Sequence, residues 1–330
     1  MSSLIVKVVK IDAISDAPNT DRLEIATVGE WTCCVKKGQY AANEKAIYIP
    51  VDAVLPEELS NKLGVTQYLS KGRVRATKLR GIISMGLLIG VGDVEISHDT
   101  PIGTDVADIL GIKKFEPPQS FNKNSDSCPD HHDFLTYVRI ENIKNFPDIL
   151  RVNEPIVCLE KIHGTNFRAA NIDGTFLVGS HRRNLKESSS NLYWQAFYKY
   201  NLAEKLKPGD TIYGEIYGKK VQKGLEYGAL TPAAVFFDIQ RKGTYLNWDD
   251  FFIYAQLEKL PIPPVIISEK YKPENLKLLS EGKTLMPGAK HIREGIVIRP
   301  KVERQSLEVG RVIFKSINPD YLLKDYGDAH

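Results

Sequence analysis

Lys161-Ile162-His163-Gly164 places an amine three residues before a glycine, directly after the apolar run Ile156-Val157-Cys158-Leu159-Glu160. An amine fixed at a strand end can act as a nucleophile once it has lost its proton, whereas a solvated lysine before a turn glycine has no such role. KxxG alone is weak, since it occurs at Lys78, Lys161 and Lys324. Lys78 sits in a β-rich segment and Lys324 has only six residues after it; Lys161 alone ends an apolar strand with a full domain following. That domain offers further groups in order. Tyr213-Gly214-Glu215-Ile216-Tyr217-Gly218 sets a carboxylate between glycines, and Val235-Phe236-Phe237-Asp238-Ile239 sets aromatics beside an acid. Glu294-Gly295-Ile296-Val297-Ile298-Arg299-Pro300 holds a carboxylate and a guanidinium five residues apart, and Arg311-Val312-Ile313-Phe314-Lys315 closes the series.

Strands are expected over Pro155–Glu160, Phe167–Ile172, Thr175–Val178, Asp210–Glu215, Ala234–Ile239, Gly295–Arg299 and Arg311–Phe314. Helices are expected over Ser189–Leu206, Pro273–Ser280 and Asn247–Leu260, the last with Asn247 as cap and Asp249 and Asp250 at the positive end of the macrodipole. Strands outnumber helices and do not alternate with them, which favours α+β with antiparallel pairing over a doubly wound sheet. Before this region the chain reads as β: Leu4–Ile11, Leu23–Val28, Trp31–Val35, Ala46–Pro50 and Arg73–Leu79, with one helix at Pro56–Gly64. Such content within about 110 residues suggests a small closed barrel. The stretch 113–133 is polar, carries three prolines and has no period. The expected division is therefore a barrel over 1–112, a linker or surface loop over 113–133 and an α+β domain over 134–330.

Composition excludes several classes. The 330 residues suit two domains, and 42% hydrophobic with 26% charged residues is too apolar for disorder. The longest nearly apolar run, Gly81 to Gly92, has 12 residues, too few for a membrane span. No signal peptide is visible, and four cysteines without a CxxC pair suit reduced thiols, so a cytoplasmic or otherwise intracellular location is expected. Net charge is only +3, and residues 1–112 hold 12 basic against 14 acidic residues, so any polyanion site must be a local patch.

In the order KxxG, Gly-Glu, Phe-Asp, Glu-Gly and a final basic strand, Glu160 to Asn318 resembles the covalent nucleotidyltransferases, which include ATP-dependent DNA ligases, RNA ligases and capping enzymes. EKIHGTNF is very close to the first motif of phage-type nick-sealing RNA ligases, and Ala17-Pro18-Asn19-Thr20-Asp21-Arg22-Leu23-Glu24 with Ile49-Pro50-Val51-Asp52 resembles the N-terminal OB module of one RNA-ligase clade. The resemblance implies an OB-type β-barrel followed by an α+β nucleotidyltransferase domain (ATP-grasp-like, DNA/RNA ligase type) with antiparallel sheets. DNA ligases and capping enzymes carry their OB domain after the last motif, and fifteen residues after Lys315 leave no room for one. A DNA ligase, a GTP-using capping enzyme and a non-catalytic nucleic-acid-binding relative are the alternatives.

By this resemblance Lys161 attacks the α-phosphate of ATP to give lysyl-AMP, then AMP passes to a 5′-phosphate that is joined to a 3′-hydroxyl, as in RNA repair at nicks. A free lysine has pKa ~10.4, so Arg299, Lys315 and a bound Mg2+ or Mn2+ are expected to favour the neutral amine and to neutralise the phosphates. Glu294, with Glu215, would hold the metal; Glu215 would otherwise contact the ribose. Phe237 would stack on adenine while Phe236 faces the core, and Glu160 with the backbone at Ile162 would read the purine edge. His163 stands where most ligases carry Asp, as in the phage-type enzymes, which takes a carboxylate away from metal binding there, and with Ile317 at the second basic position the contact to the leaving phosphates comes from Arg311 or Lys324 or is absent. Arg182, with Arg183 second, is expected to handle the nucleic-acid end, and Lys219, Lys220 and Lys223 could line the same groove. Lys71, Arg73 and Arg75 share a strand face on the expected strand, with Lys78 and Arg80 beyond, and read as a phosphate-tracking strip. Cys128, His131, His132 and Asp133 are a weak zinc reading without a second ligand pair. The expected partner is RNA or an RNA/DNA nicked duplex, with no membrane and a monomeric enzyme.

Overall fold

Short β-branched runs bounded by glycine, asparagine or proline become strands in both halves of the chain. The computed structural model describes residues 4–18, 20–116, 126–222 and 225–324; Asn19, Lys223 and residues 117–125 of the expected linker lie outside these. The chain divides into two compact units, the first comprising the residues up to Pro118 together with the chain from Leu322, and the second Gln119 to Tyr321. Among the described residues no helix is long and apolar enough to cross a membrane.

In the first unit, Lys7–Lys10, Lys45–Pro50 and Gly86–Gly90 form one antiparallel sheet, and Ala13–Asp16, Leu23–Val28 and Trp31–Lys36 a second. Strand Trp31–Lys36 also meets the hairpin that ends at Ser84: the Cys34 N–H donates to Ser84 Oγ (3.0 Å) and the Met85 N–H to Thr32 O (2.8 Å). Two apolar clusters fill the unit, one around Val8, Ile47, Ile49 and Ile89, the other around Ala26, Cys33, Val35 and Tyr48. Helix Glu57–Lys62 starts after Pro56 and stops before Gly64, whose φ of +66° suits glycine. Strands Ile82–Ser84 and Gly86–Gly90 were not expected, because a nearly continuous apolar run shows no period.

The expected strand Arg73–Leu79 shortens to Thr77–Leu79. Lys71 occupies a left-handed turn position, φ +55°, and Arg73 turns inward. Its Nε and Nη2 both donate to Asp52 Oδ1, at 2.9 and 2.6 Å, and its guanidinium lies 3.7 Å from the Phe115 ring centre. Lys71, Arg73 and Arg75 therefore share no strand face, and Arg73 is a buried structural cation.

The second unit holds two larger sheets. Seven antiparallel strands run in the order Ser127–Cys128, Asn184–Leu185, Thr175–Ser180, Thr165–Ile172, Asp210–Tyr217, Ala233–Arg241, Thr244–Tyr245. Five run in the order Glu141–Asn142, Phe314–Ile317, Gly295–Pro300, Pro155–Glu160, Val265–Lys270. Glu141–Asn142 pairs parallel to Phe314–Ile317, the one departure from the expected antiparallel pairing in this sheet. Val157 and Leu159 of the smaller sheet share a core with Phe167, Ile212 and Phe236 of the larger, and helix Trp248–Leu257 adds Trp248 and Phe251. Asn247 occupies the N-cap position of that helix as expected, but its side chain makes no capping hydrogen bond; its Oδ1 accepts the Glu303 N–H (2.9 Å) instead. The expected helix Ser189–Leu206 is split into Leu192–Lys199 and Leu202–Lys205 by Asn201 at φ +51°. Arg311–Phe314 likewise breaks into strands Gly310–Arg311 and Phe314–Ile317.

Candidate active site

Lys161 follows strand Pro155–Glu160 and leads across to strand Thr165–Ile172 of the other sheet. Its own N–H donates to Gly295 O (3.0 Å), and Glu160 pairs with Ile296, so the nucleophile candidate lies beside the Glu294-Gly295 corner. Lys161 Nζ is 2.7 Å from Glu294 Oε1, and Glu294 is 2% exposed. Gly164 is required by close approach: a Cβ there would lie 2.1 Å from Ile216 O. The Gly164 N–H donates to Glu215 Oε1 (3.0 Å), and Gln222 Nε2 donates to Gly164 O (2.7 Å). Gly295 is just as confined, since a Cβ there would lie 2.1 Å from Ser316 O. Two glycines thus seat Lys161, Glu215 and Glu294 around one corner.

Charge around that corner is mostly negative. Desolvation pushes the Glu215 carboxyl up to about 8, with Glu294 adding to it and Lys161 opposing. Glu294 Oε2 is buried with no hydrogen-bond partner among the described residues, and His163 Nδ1 is 3.9 Å away. A carboxylate oxygen short of a partner beside a second desolvated carboxylate is a donor set fitted to a hard divalent cation. Glu294 would hold such an ion with Glu215 beside it.

Arg299 is the clear correction. Five residues along a strand place it about 16 Å from Glu294, and its Nη1 donates to Asp238 Oδ2 and Glu303 Oε1, both at 3.0 Å. It is therefore not a cation positioned over Lys161. Arg311 is also committed: it reaches Asp238 Oδ2 (2.7 Å), Glu303 Oε2 (2.6 Å) and the Tyr137 hydroxyl (3.0 Å), so it does not replace the basic residue missing at Ile317. Lys315 is buried and pairs in register with Val297, which puts both side chains on one face of the sheet. Phe236 is fully buried, edge-on to Phe167 and Tyr200, while Phe237 is partly exposed and meets Tyr137 edge-on at 5.0 Å. Glu160 is 1% exposed; its Oε2 accepts the Leu285 N–H at 2.7 Å. Ile162 is buried.

Arg182 is exposed in the turn after Ser180, and Ser180 pairs with Phe167, so this turn lies at the Lys161 end of the larger sheet. Arg168 brackets the turn, donating to Ser180 O (2.9 Å) and Asn184 Oδ1 (2.8 Å). Lys219 and Lys220 are exposed beyond the Glu215 strand. His131, His132 and Asp133 bring their ligand atoms within 4.8 Å of one another, but His132 Nε2 already meets Asp133 Oδ2 at 3.0 Å, and Cys128 is not in the group. Sequence reasoning missed Tyr227, whose hydroxyl accepts the His163 N–H at 2.7 Å, and it left Asp238 without a role. Tyr227 lies in a glycine-flanked loop without periodicity, so no pattern marks it.

The RNA ligase family matches residues 154–317, and an OB-fold domain matches residues 5–91. No curated protein matches the chain. Among solved structures, a mutant of Naegleria gruberi RNA ligase with ATP and Mn superposes with a TM-score of 0.82 at 22% identity, covering 96% of this chain and 98% of that one. A second mutant of that enzyme, with AMP and Mn, gives the same values, and the enzyme with PPi gives 0.80 at 23%, covering 97% and 98%. These likenesses support the fold: a barrel followed by a nucleotidyltransferase-type α+β domain. With the Lys161 strand, the Glu215 strand and the Glu294 corner all inside the matched region, the chain belongs over residues 154–317 to the RNA ligase family, preceded by an OB-fold domain.

Proposed function

We propose that the protein is an ATP-dependent RNA ligase that seals nicked RNA or RNA/DNA duplexes as a monomer, in RNA repair. The single observation carrying this reading is the Lys161 amine held 2.7 Å from Glu294 in a desolvated corner shared with Glu215. In the first step the Lys161 nitrogen bonds to the α-phosphorus of ATP and the bond to pyrophosphate breaks. The amine loses its protons and first has to leave Glu294, so the ion pair is a resting arrangement. A divalent ion at Glu294 would neutralise triphosphate charge. AMP then passes to a 5′-phosphate, and a 3′-hydroxyl displaces it to form the phosphodiester.

Phe237 offers its partly exposed ring to adenine, and Lys315 supplies positive charge from its strand. Arg182, exposed at the Lys161 end of the sheet, takes the phosphorylated end. Lys71 and Arg75, with Lys78 and Arg80, contact the nucleic-acid backbone from the OB module. The Naegleria enzyme's structures with ATP, AMP and PPi support the nucleotide choice. The test is covalent labelling: wild type incubated with α-labelled ATP and a divalent ion acquires label on protein, and Lys161→Ala acquires none. Label on Lys161→Ala would refute the assigned nucleophile. Sealing of nicked duplexes in all RNA/DNA combinations then tests the substrate.

A further inference from the structure

Between the strand that ends at Glu160 and the strand that starts at Thr165, the chain crosses from one sheet to the other through Lys161, Ile162, His163 and Gly164. The Lys161 N–H finds a backbone partner, Gly295 O at 3.0 Å. Further along the crossing, side chains do the holding. The His163 N–H donates to the Tyr227 hydroxyl (2.7 Å), the Gly164 N–H to Glu215 Oε1 (3.0 Å), and Gly164 O accepts from Gln222 Nε2 (2.7 Å). A strand shares its backbone hydrogen bonds along a ladder, whereas a turn pinned by side chains keeps its shape only while those side chains stay in place. Two of the three pins, Gln222 and Tyr227, come from one loop. That loop follows the Glu215 strand and closes at its neck, where the Lys219 N–H donates to Ala229 O at 3.1 Å.

Tyr227 is the more deeply seated of the two, 2% exposed, while Gln222 is half-buried. Its ring stands edge-on to Tyr217 at 5.7 Å and to His291 at 4.6 Å. Its backbone takes φ +47°, and Gly228 follows at φ +71°, where a Cβ would lie 2.8 Å from Pro287 O. A left-handed residue that carries a side chain costs about 1–2 kcal/mol, and such a conformation persists where the surroundings impose it from several sides. Burial first, and then the Glu294 charge, hold the phenol well above its ordinary value, so the group stays neutral.

We infer that Tyr227 is a positioning residue for the nucleophile: its hydroxyl fixes the His163 peptide, and through it the turn that presents the Lys161 amine to the corner of Glu215 and Glu294. This rests on the proposed ATP-dependent reaction and adds the group that keeps its first step aligned. The hydroxyl is engaged with backbone and not with a reacting atom. It acts by excluding turn conformations in which the amine points elsewhere, each of which lowers the fraction of enzyme competent to attack.

Tyr227→Phe removes the oxygen and keeps the ring contacts. In this variant the rate of lysine labelling at saturating α-labelled ATP falls about tenfold, the size of one hydrogen bond, with the KM for ATP little changed. The same variant seals a nick whose 5′-phosphate already carries AMP at the wild-type rate, because that step does not use the Lys161 amine as a nucleophile. Equal labelling rates in Tyr227→Phe and wild type overturn the inference, as does a loss confined to KM. A parallel loss of labelling and of sealing at the pre-adenylylated nick marks a merely structural residue and overturns it too. Each of these leaves the ligase reading intact, whereas wild type that acquires no label from ATP overturns both.

Discussion

Strand Gly295–Pro300 connects two charged regions built on opposite terms. At one end, Glu294, Lys161 and Glu215 form a corner whose charges are incompletely matched: one ion pair, an unpartnered carboxylate oxygen and a second carboxyl pushed up to about 8. At the other end, Arg299 and Arg311 converge on Asp238 and Glu303, with the Tyr137 hydroxyl donating to Asp238 at 2.7 Å. Each region holds a nearly inaccessible acid, Glu294 in one and Asp238 in the other. The far cluster saturates its carboxylates, Asp238 and Glu303 each taking contacts from two guanidinium groups, and so joins Asp238 of the larger sheet to Arg299 of the smaller, although Arg299 Nε and Nη2 are buried without hydrogen-bond partners among the described residues. The near corner leaves valence open and so is suited to chemistry.

Breaking the far cluster should cost the most stability. Asp238→Asn removes the carboxylate shared by two buried guanidinium groups, and an uncompensated buried charge costs about 3–5 kcal/mol. Denaturant unfolding should show this loss in the absence of nucleotide. At the near corner the expected order reverses. Glu294→Gln should lower lysine labelling about 10²–10³-fold while changing the unfolding midpoint little; a large stability loss there would erase the distinction between the two regions.

Glu215 sharpens the comparison through pH. Its folded carboxyl lies above the ordinary value of 4.5, so folding favours the protonated form. Below 4.5 both folded and unfolded forms hold the proton and no penalty exists. As pH climbs from there to about 8 the unfolded chain has lost the proton that the folded one keeps, and stability falls. Allowing for its partial exposure, Glu215→Gln should gain on the order of 2 kcal/mol over wild type between pH 5 and 9 in chelator, measured by paired melts. Arg182→Ala is the smallest expected effect: sealing of a 5′-phosphorylated nick falls about tenfold, and lysine labelling from ATP stays at the wild-type level.

Much of this arrangement was legible from residue order. Strands Leu23–Val28 and Pro155–Glu160 coincide with their apolar runs, and the resemblance of the motifs carrying Lys161, Glu215 and Glu294 to a known family singled out residues that the structure brings to one corner. Arg299 was misplaced because proximity in sequence was read as proximity in space, although a strand separates residues by about 3.3 Å each. Arg73 was misplaced for another reason: alternation was assumed across Lys71-Gly72, where the backbone takes a left-handed turn that resets which side each residue faces. Tyr227 reaches the corner through a loop, and loop side chains follow no period that a sequence could display.

Gly295 carries a last implication. With Ser316 O occupying the place where a side chain would begin, the backbone bearing Glu294 and the backbone bearing Lys315 are seated against each other without slack. Acid and cation therefore ride on a single rigid plate, and their spacing is insulated from whatever the surrounding loops do during turnover. Adaptation to a different nucleotide or nucleic-acid end would have to come from the segments that border the plate, leaving the plate itself as the invariant frame.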